Sequence, residues 1–197
     1  MLQATPTRPI IMEDQVQLAN GSVLLRPHRP TDAEAVYEAV RESLPELMVW
    51  LPWAHPDYAI EETRAWIESC AAKWAQGTEY NFAILDARDR SFLGGCGLNQ
   101  VNRAEGFGNL GYWVRTSRTT RGIATAAARL AVRFGFGQLG LTRIEVGAAT
   151  GNVASQRVAE KLGARREGIQ NGQITFRDRV YDRVVFSLTP GDMETRA

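Results

Sequence analysis

Leu110-Gly111-Tyr112-Trp113-Val114-Arg115 runs into the polar turn Thr116-Ser117-Arg118-Thr119-Thr120-Arg121 and then into Gly122-Ile123-Ala124-Thr125. The apolar opening reads as a buried strand, the middle as a cation-rich turn, and the end as a helix start with Gly and Ala in its first turn. A helix start presents unpaired backbone N–H groups and the positive end of the macrodipole, and glycine lets a phosphate approach the backbone. The stretch therefore reads as an anion site, with Arg118 and Arg121 adding positive charge beside it. No lysine of the ATP-loop type accompanies the glycine, which removes the usual nucleoside-triphosphate reading.

Downstream, Ala126 to Phe134 is strongly helical and rich in small residues suited to packing on a sheet. Thr142 to Ala148 is then a buried strand that must run parallel to the opening strand after the helical crossover. Thr150 to Ser155 turns into a short helix ending at Gly163. Two long strands follow between Arg165 and Leu188. Asn171-Gly172 and Arg177-Asp178-Arg179 are competing turns, and the second is preferred because it leaves strands of matched length.

Upstream, Tyr80 to Leu85, Phe92 to Val101 and Asn109 to Arg115 form a meander. Val23 to Pro27 is a short strand, followed by a helix capped at Thr31-Asp32 and ending near Ser43. Pro45, Pro52 and Pro56 argue against a regular helix through Leu44 to Tyr58, so Trp50 and Trp53 are expected on an irregular loop or broken helix. They read equally as a substrate-facing wall and as core anchors. Ile60 to Gly77 is a second amphipathic helix. The chain divides into an N-terminal arm (1–20), one domain (21–190) and a polar tail (191–197).

The 197 residues, 44% hydrophobic, suit one large domain. A net charge of +1 advertises neither nucleic acid nor membrane as partner. Cys70 and Cys96 lie far apart, supporting neither a disulfide framework nor a zinc cluster. With no signal-like or spanning stretch, a soluble cytoplasmic protein without a metal is expected.

In their order and spacing, the Gly-Tyr-Trp-Val strand, Trp50 to Trp53, Arg26-Pro27, Asn152-x-x-Ser155 and Glu160-Lys161-Leu162-Gly163 resemble the GNAT superfamily of acyl-CoA-dependent N-acyltransferases. Within it they look like the RimJ/RimL branch, which acetylates ribosomal-protein N-termini. The resemblance spans about Val23 to Leu188 and implies an α+β, three-layer fold: a mixed, mostly antiparallel sheet with a splayed parallel pair and flanking helices. In the family's Gln/Arg-x-x-Gly-x-Gly/Ala loop, Gly122 and Ala124 match here, while Thr119 takes the Gln/Arg position. Backbone N–H groups from Arg121 through Ala126 (Arg121, Gly122, Ile123, Ala124, Thr125 and Ala126) are then expected to hold the coenzyme A pyrophosphate.

The same resemblance implies that main-chain groups of Trp113, Val114 and Arg115 pair with the pantetheine arm, that Asn152 also binds it, and that Ser155 lies near the thioester sulfur. A neutral amine would attack acetyl-CoA directly, with the Val114 N–H, or a neighbour's, stabilising the oxyanion and Ser155 serving the departing thiolate. The proton acceptor stays open among Glu105, Glu167, Tyr181 and a water chain. The expected acceptor is a protein or peptide N-terminus, approached past Trp50 and Trp53, and a homodimer is expected. A polyamine or aminoglycoside acceptor, a succinyl-CoA donor, or a non-catalytic acyl-CoA-binding module are the alternatives.

Overall fold

The computed structural model describes residues 15–194. One eight-stranded sheet carries the order β1-β2-β3-β4-β5-β6-β8-β7. The strands are β1 (Leu18–Ala19), β2 (Val23–Pro27), β3 (Tyr80–Asp86), β4 (Phe92–Asn102), β5 (Phe107–Val114), β6 (Arg143–Ala149), β7 (Arg165–Phe176) and β8 (Arg179–Leu188). Helices α1 (Ala33–Trp50) and α2 (Ile60–Gln76) precede β3, α3 (Ile123–Phe134) links β5 to β6, and α4 (Val153–Leu162) links β6 to β7. A last helical turn, α5 (Pro190–Glu194), follows β8 where a polar tail was expected. The arm expected over 1–20 falls mostly on 1–14, outside the described residues, while Leu18 and Ala19 pair with Leu25 and Leu24.

Neighbouring side chains on the central strands point to opposite faces, and each face has its own core. Leu25, Phe82, Ile84, Leu98 and Ile144 pack with Ala127, Ala131 and Phe134 of α3 and Leu162 of α4. Leu24, Ala83 and Leu85 pack instead with Val36, Val40 and Leu47 of α1 and Ile67 of α2. Burial on both faces is the three-layer arrangement that the resemblance implied.

The helix expected to end near Ser43 instead continues to Trp50, straight through Pro45. Val36, Ala39, Val40, Ser43, Leu44 and Leu47 form a buried stripe at helical spacing, whereas Pro45 lies on the exposed side. The Arg41 carbonyl that loses its N–H partner at Pro45 therefore faces solvent, and packing of the stripe outweighs the lost bond. At the other end of the chain, Arg177 and Asp178 take φ 51° and 56° and make the β7–β8 turn, as preferred from strand length. Asn171-Gly172 is a bulge instead: the register shifts between Gln170 and Ile174, and the Gly172 N–H donates to Asp182 at 2.9 Å.

Only the first part of β5 pairs with β6, in parallel register: Phe107 with Arg143, Gly108 with Ile144, Asn109 with Glu145. Beyond Asn109, β5 pairs with β4 alone and β6 with β8 alone, so a gap opens between the two. Arg183 of β8 sits at the fork. Its guanidinium lies across Gly147, where a Cβ would collide with it, and donates to Asn109 at 3.3 Å and Glu145 at 3.4 Å.

Candidate active site

The anion loop is held from α1. Glu42 accepts from the Arg115 Nε at 2.9 Å and from the Ser117 N–H at 2.8 Å, and Arg115 Nη2 makes a further ion pair with it. The Thr116 N–H donates to Ser43 Oγ at 2.9 Å, and its hydroxyl to Glu46 at 3.1 Å. Hydrogen bonding to Arg115, more than offsetting desolvation, pulls the Glu42 carboxyl down to about 2. Past this clamp Gly122 turns to φ 78° and caps α3 without any side-chain cap. The Gly122, Ile123, Ala124 and Thr125 amides thus have no intrahelical acceptor, and nothing lies within 4 Å of a Cβ built on Gly122. Ala126, expected to share the anion, already donates to the Gly122 carbonyl at 2.9 Å. Arg118 and Arg121 line a recess of about 290 Å3 beside the loop, together with Arg88 from the β3–β4 turn. The donors, open backbone and cations all fit a pyrophosphate.

Of the main chain expected to face the gap, Val114 alone presents both of its groups there. A Cβ on Gly94 would collide with the Trp113 carbonyl oxygen, so that oxygen faces β4. The Arg115 N–H also faces β4, donating to Leu93 at 2.9 Å. In trans peptides, N–H and C=O point opposite ways, so the Val114 N–H and C=O both point into the gap. Trp113 contributes its indole instead, packed over Gly95 and beside Trp53, with ring centroids 6.3 Å apart. Arg115 contributes the salt bridge to Glu42.

Across the gap, Asn152 caps α4 by accepting from the Ser155 N–H at 3.1 Å. The Tyr112 hydroxyl reaches the same residue from β5, lying 3.0 Å from the Ser155 carbonyl oxygen and 3.1 Å from its Oγ. Burial pushes the Tyr112 phenol up to about 12, so it stays protonated. In the sequence Tyr112 stands out only as part of the buried strand Leu110 to Arg115. A Tyr where Phe would fill the same space was the available signal, since a phenol turned inward seeks a partner.

A cavity of about 470 Å3 lies between the sheet and the α1–α2 layer, bounded by Trp53, Tyr58 and Trp66 on one side and Gly111, Tyr112 and Trp113 on the other. Trp50, expected alongside Trp53, is not part of its lining and packs against Gly151, in the turn before α4. Arg177 at the hairpin tip donates to the carbonyls of Met48 and Ala54, tying the closing strands to the Trp53 loop. His28 borders the cavity edge-on to Trp66, with centroids 4.7 Å apart. Burial pushes its imidazole down to about 4, and among the described residues neither ring nitrogen has a partner in hydrogen-bonding geometry. Both lining carboxylates are engaged. Glu62 accepts from the Ala59 N–H at 2.9 Å and pairs with His55 at 2.9 Å, while Glu79 pairs with Lys73 at 3.1 Å. Cys96 is buried in the wall and its thiol is pushed up to about 12, which suits neither a thiolate nucleophile nor a covalent intermediate.

The proton routes narrow. Glu167 is held near 2, first by hydrogen bonds from Arg143 and then by Ser187, too weak a base for an ammonium. Glu105 lies in the β4–β5 turn, beyond Phe107. About 17 Å of strand separates Phe107 from Tyr112 at the usual rise per residue. Tyr181, stacked on Phe176 at 5.1 Å, and a water chain remain.

The family described as "Acetyltransferase (GNAT) domain" matches residues 22–165. A Bacillus subtilis protein named as the probable N-acetyltransferase YjcK is 30% identical over 179 residues, covering 90% of this chain and 99% of the relative. Among solved structures, a Vibrio cholerae chain provisionally described as a ribosomal-protein-serine acetyltransferase superposes with a TM-score of 0.80 at 25% identity, covering 91% of this chain and 100% of that one. RimJ of Mycobacterium smegmatis, solved in complex with CoA-disulfide, gives 0.79 at 25% identity, covering 90% and 87%. With its splayed sheet and open helix-start loop, the chain belongs to the GNAT family of acetyl-CoA-dependent N-acetyltransferases.

Proposed function

We propose that the protein acetylates the α-amine of a protein or peptide N-terminus, by direct attack on acetyl-CoA in a ternary complex. The observation that carries this reading is that the cavity's two lining carboxylates are already engaged: Glu79 is ion-paired with Lys73, and Glu62 accepts from the Ala59 N–H and hydrogen-bonds to His55. A polyamine or aminoglycoside needs unspent carboxylates for its remaining ammonium groups, whereas an N-terminal residue brings a single amine and an uncharged backbone. Trp53 and Trp113 offer apolar surface for the first side chain. The ribosomal-protein description of the Vibrio cholerae structure points the same way.

In this reading the Gly122 to Thr125 amides hold the pyrophosphate, assisted by Arg118 and Arg121. Val114 pairs with the pantetheine amides or, through its N–H, with the oxyanion as the amine adds to the carbonyl. Asn152 fixes the first turn of α4, so that the Ser155 hydroxyl faces the sulfur as it departs. The ammonium proton leaves through water or Tyr181.

Mass spectrometry of a library of peptides, polyamines and aminoglycosides incubated with the protein and acetyl-CoA tests the reading. Acetylated peptide α-amines are expected. Product confined to small polycations would overturn the acceptor class, and coenzyme A binding without thiol release from any donor–acceptor pair would make the chain a binding module. A homodimer belongs to the same proposal. The edge strand β7 is exposed along most of its length, and Ile169 and Val180 are 50% and 66% exposed. Sedimentation equilibrium giving a monomer at micromolar concentration would reject it.

A further inference from the structure

We infer that Tyr112 is the positioning residue for the Ser155 hydroxyl, holding it so that its proton is directed at the departing sulfur. The inference rests on the reading of Ser155 given above and assigns it a partner 43 residues away in sequence. Ser155 is fixed through its N–H, which donates to Asn152, and its carbonyl oxygen is one of two acceptors within reach of the Tyr112 phenol. The side-chain hydroxyl is the part left to orient, and Tyr112 Oη lies 3.1 Å from it.

Proton counting defines two arrangements. A carbonyl oxygen has no proton to give, so when Tyr112 donates to the Ser155 carbonyl, the 3.1 Å contact requires the Ser155 hydroxyl to donate to Tyr112. Its proton then points away from any substrate. When Tyr112 instead donates to Ser155 Oγ, the Ser155 proton is released toward a third group. The two acceptors lie almost equally far from Oη, so a small rotation about the phenol C–O bond exchanges the arrangements. In the second, two hydroxyls in series polarise each other and strengthen the terminal donor.

Burial keeps the phenol protonated throughout, so Tyr112 acts as a donor and gives up no proton. The carbon–sulfur bond breaks with its electron pair going to sulfur, stabilised by the Ser155 O–H. The proton that finally neutralises the thiolate replaces the one the amine loses on becoming an amide. Tyr112 also borders the acceptor cavity, and so is the residue that joins that cavity to the start of α4.

Steady-state kinetics on Tyr112→Phe, Ser155→Ala and the double variant test the assignment, since Phe keeps the ring and its packing. A fall in kcat of about tenfold to thirtyfold is expected for Tyr112→Phe, with the coenzyme A dissociation constant and the melting temperature nearly unchanged. The double variant should be no slower than Ser155→Ala alone. With the selenoester analogue of acetyl-CoA, whose leaving group needs less assistance, the Tyr112→Phe deficit should shrink to within threefold. A Tyr112→Phe effect that is additive with Ser155→Ala, equal for both donors, or confined to coenzyme A affinity would reduce Tyr112 to a support for α4 and overturn the inference. Wild-type turnover in Ser155→Ala would instead remove the reading of Ser155, and the inference with it. Loss in Ser155→Ala alone would remove only the role of Tyr112.

Discussion

Gly122 combines a left-handed φ of 78° with open space where a side chain would stand. An L-residue there costs about 1–2 kcal/mol in backbone strain and also occupies the approach to the unpaired amides. Gly122→Val should therefore weaken coenzyme A binding by at least about tenfold in calorimetry, against a drop in melting temperature of roughly 2–8 °C. Unchanged affinity would mean that the phosphates bypass the loop. The two tryptophans separate just as cleanly. Trp53→Ala strips the cavity wall beside Trp113 and should raise the acceptor KM about tenfold, leaving coenzyme A affinity alone. Trp50→Ala should leave the acceptor KM in place, because its ring meets Gly151 rather than the cavity. Equal effects of the two changes on acceptor KM would contradict this division. Nothing in the sequence distinguishes them: they are three residues apart, and the end of α1 falls between them.

Helix α1 links the acceptor side to the cofactor loop. Its buried stripe faces the core, and Glu42, Ser43 and Glu46 turn four groups of Arg115 to Ser117 into a fixed platform for Gly122. The sign of its pH dependence follows from Glu42, whose carboxyl drops from the ordinary 4.5 to about 2 on hydrogen bonding to Arg115. A depressed carboxyl stabilises the fold fully above its unfolded value, and that stabilisation is lost as pH falls from about 4.5 toward 2. Glu42→Gln should melt about 2–4 °C below the wild type at pH 6, discounted for partial exposure, and the difference should fall to about half or less by pH 3 and close toward pH 2. A difference independent of pH would assign the loss to packing. This clamp was illegible in sequence because it joins residues more than seventy positions apart. Pro45 was misleading for the opposite reason: a local rule against helix was overruled by burial of Leu44 and Leu47. Asn171-Gly172 was a true left-handed signal, with Gly172 at φ 63°, placed in a bulge instead of the turn.

At the scale of the whole molecule, the strands, the parallel crossover and the helix-start loop were legible because each rests on local chemistry: apolar runs, glycine and caps. The gap was expected only through resemblance, since no local pattern says that β5 and β6 part after Asn109. That gap splits the sheet into a β1–β5 part and a β6–β8 part, joined at the fork by Arg183 and farther along by Tyr112 reaching α4. A pantetheine arm threaded between Val114 and β6 would join the two parts along the rest of the opening, while the pyrophosphate occupies the α3 amides. Binding to the folded state alone stabilises it by about 2.7 kcal/mol at a hundredfold excess over the dissociation constant, or roughly 5–11 °C for a chain of this size. Because the two halves of the ligand act on different elements through one covalent link, coenzyme A should raise the melting temperature by more than the separate shifts from pantetheine and ADP at the same concentration combined. Differential scanning fluorimetry with the three ligands checks this directly. A full shift from pantetheine alone would show that the helix-start loop contributes little, and a full shift from ADP alone would show that the gap does not take the arm.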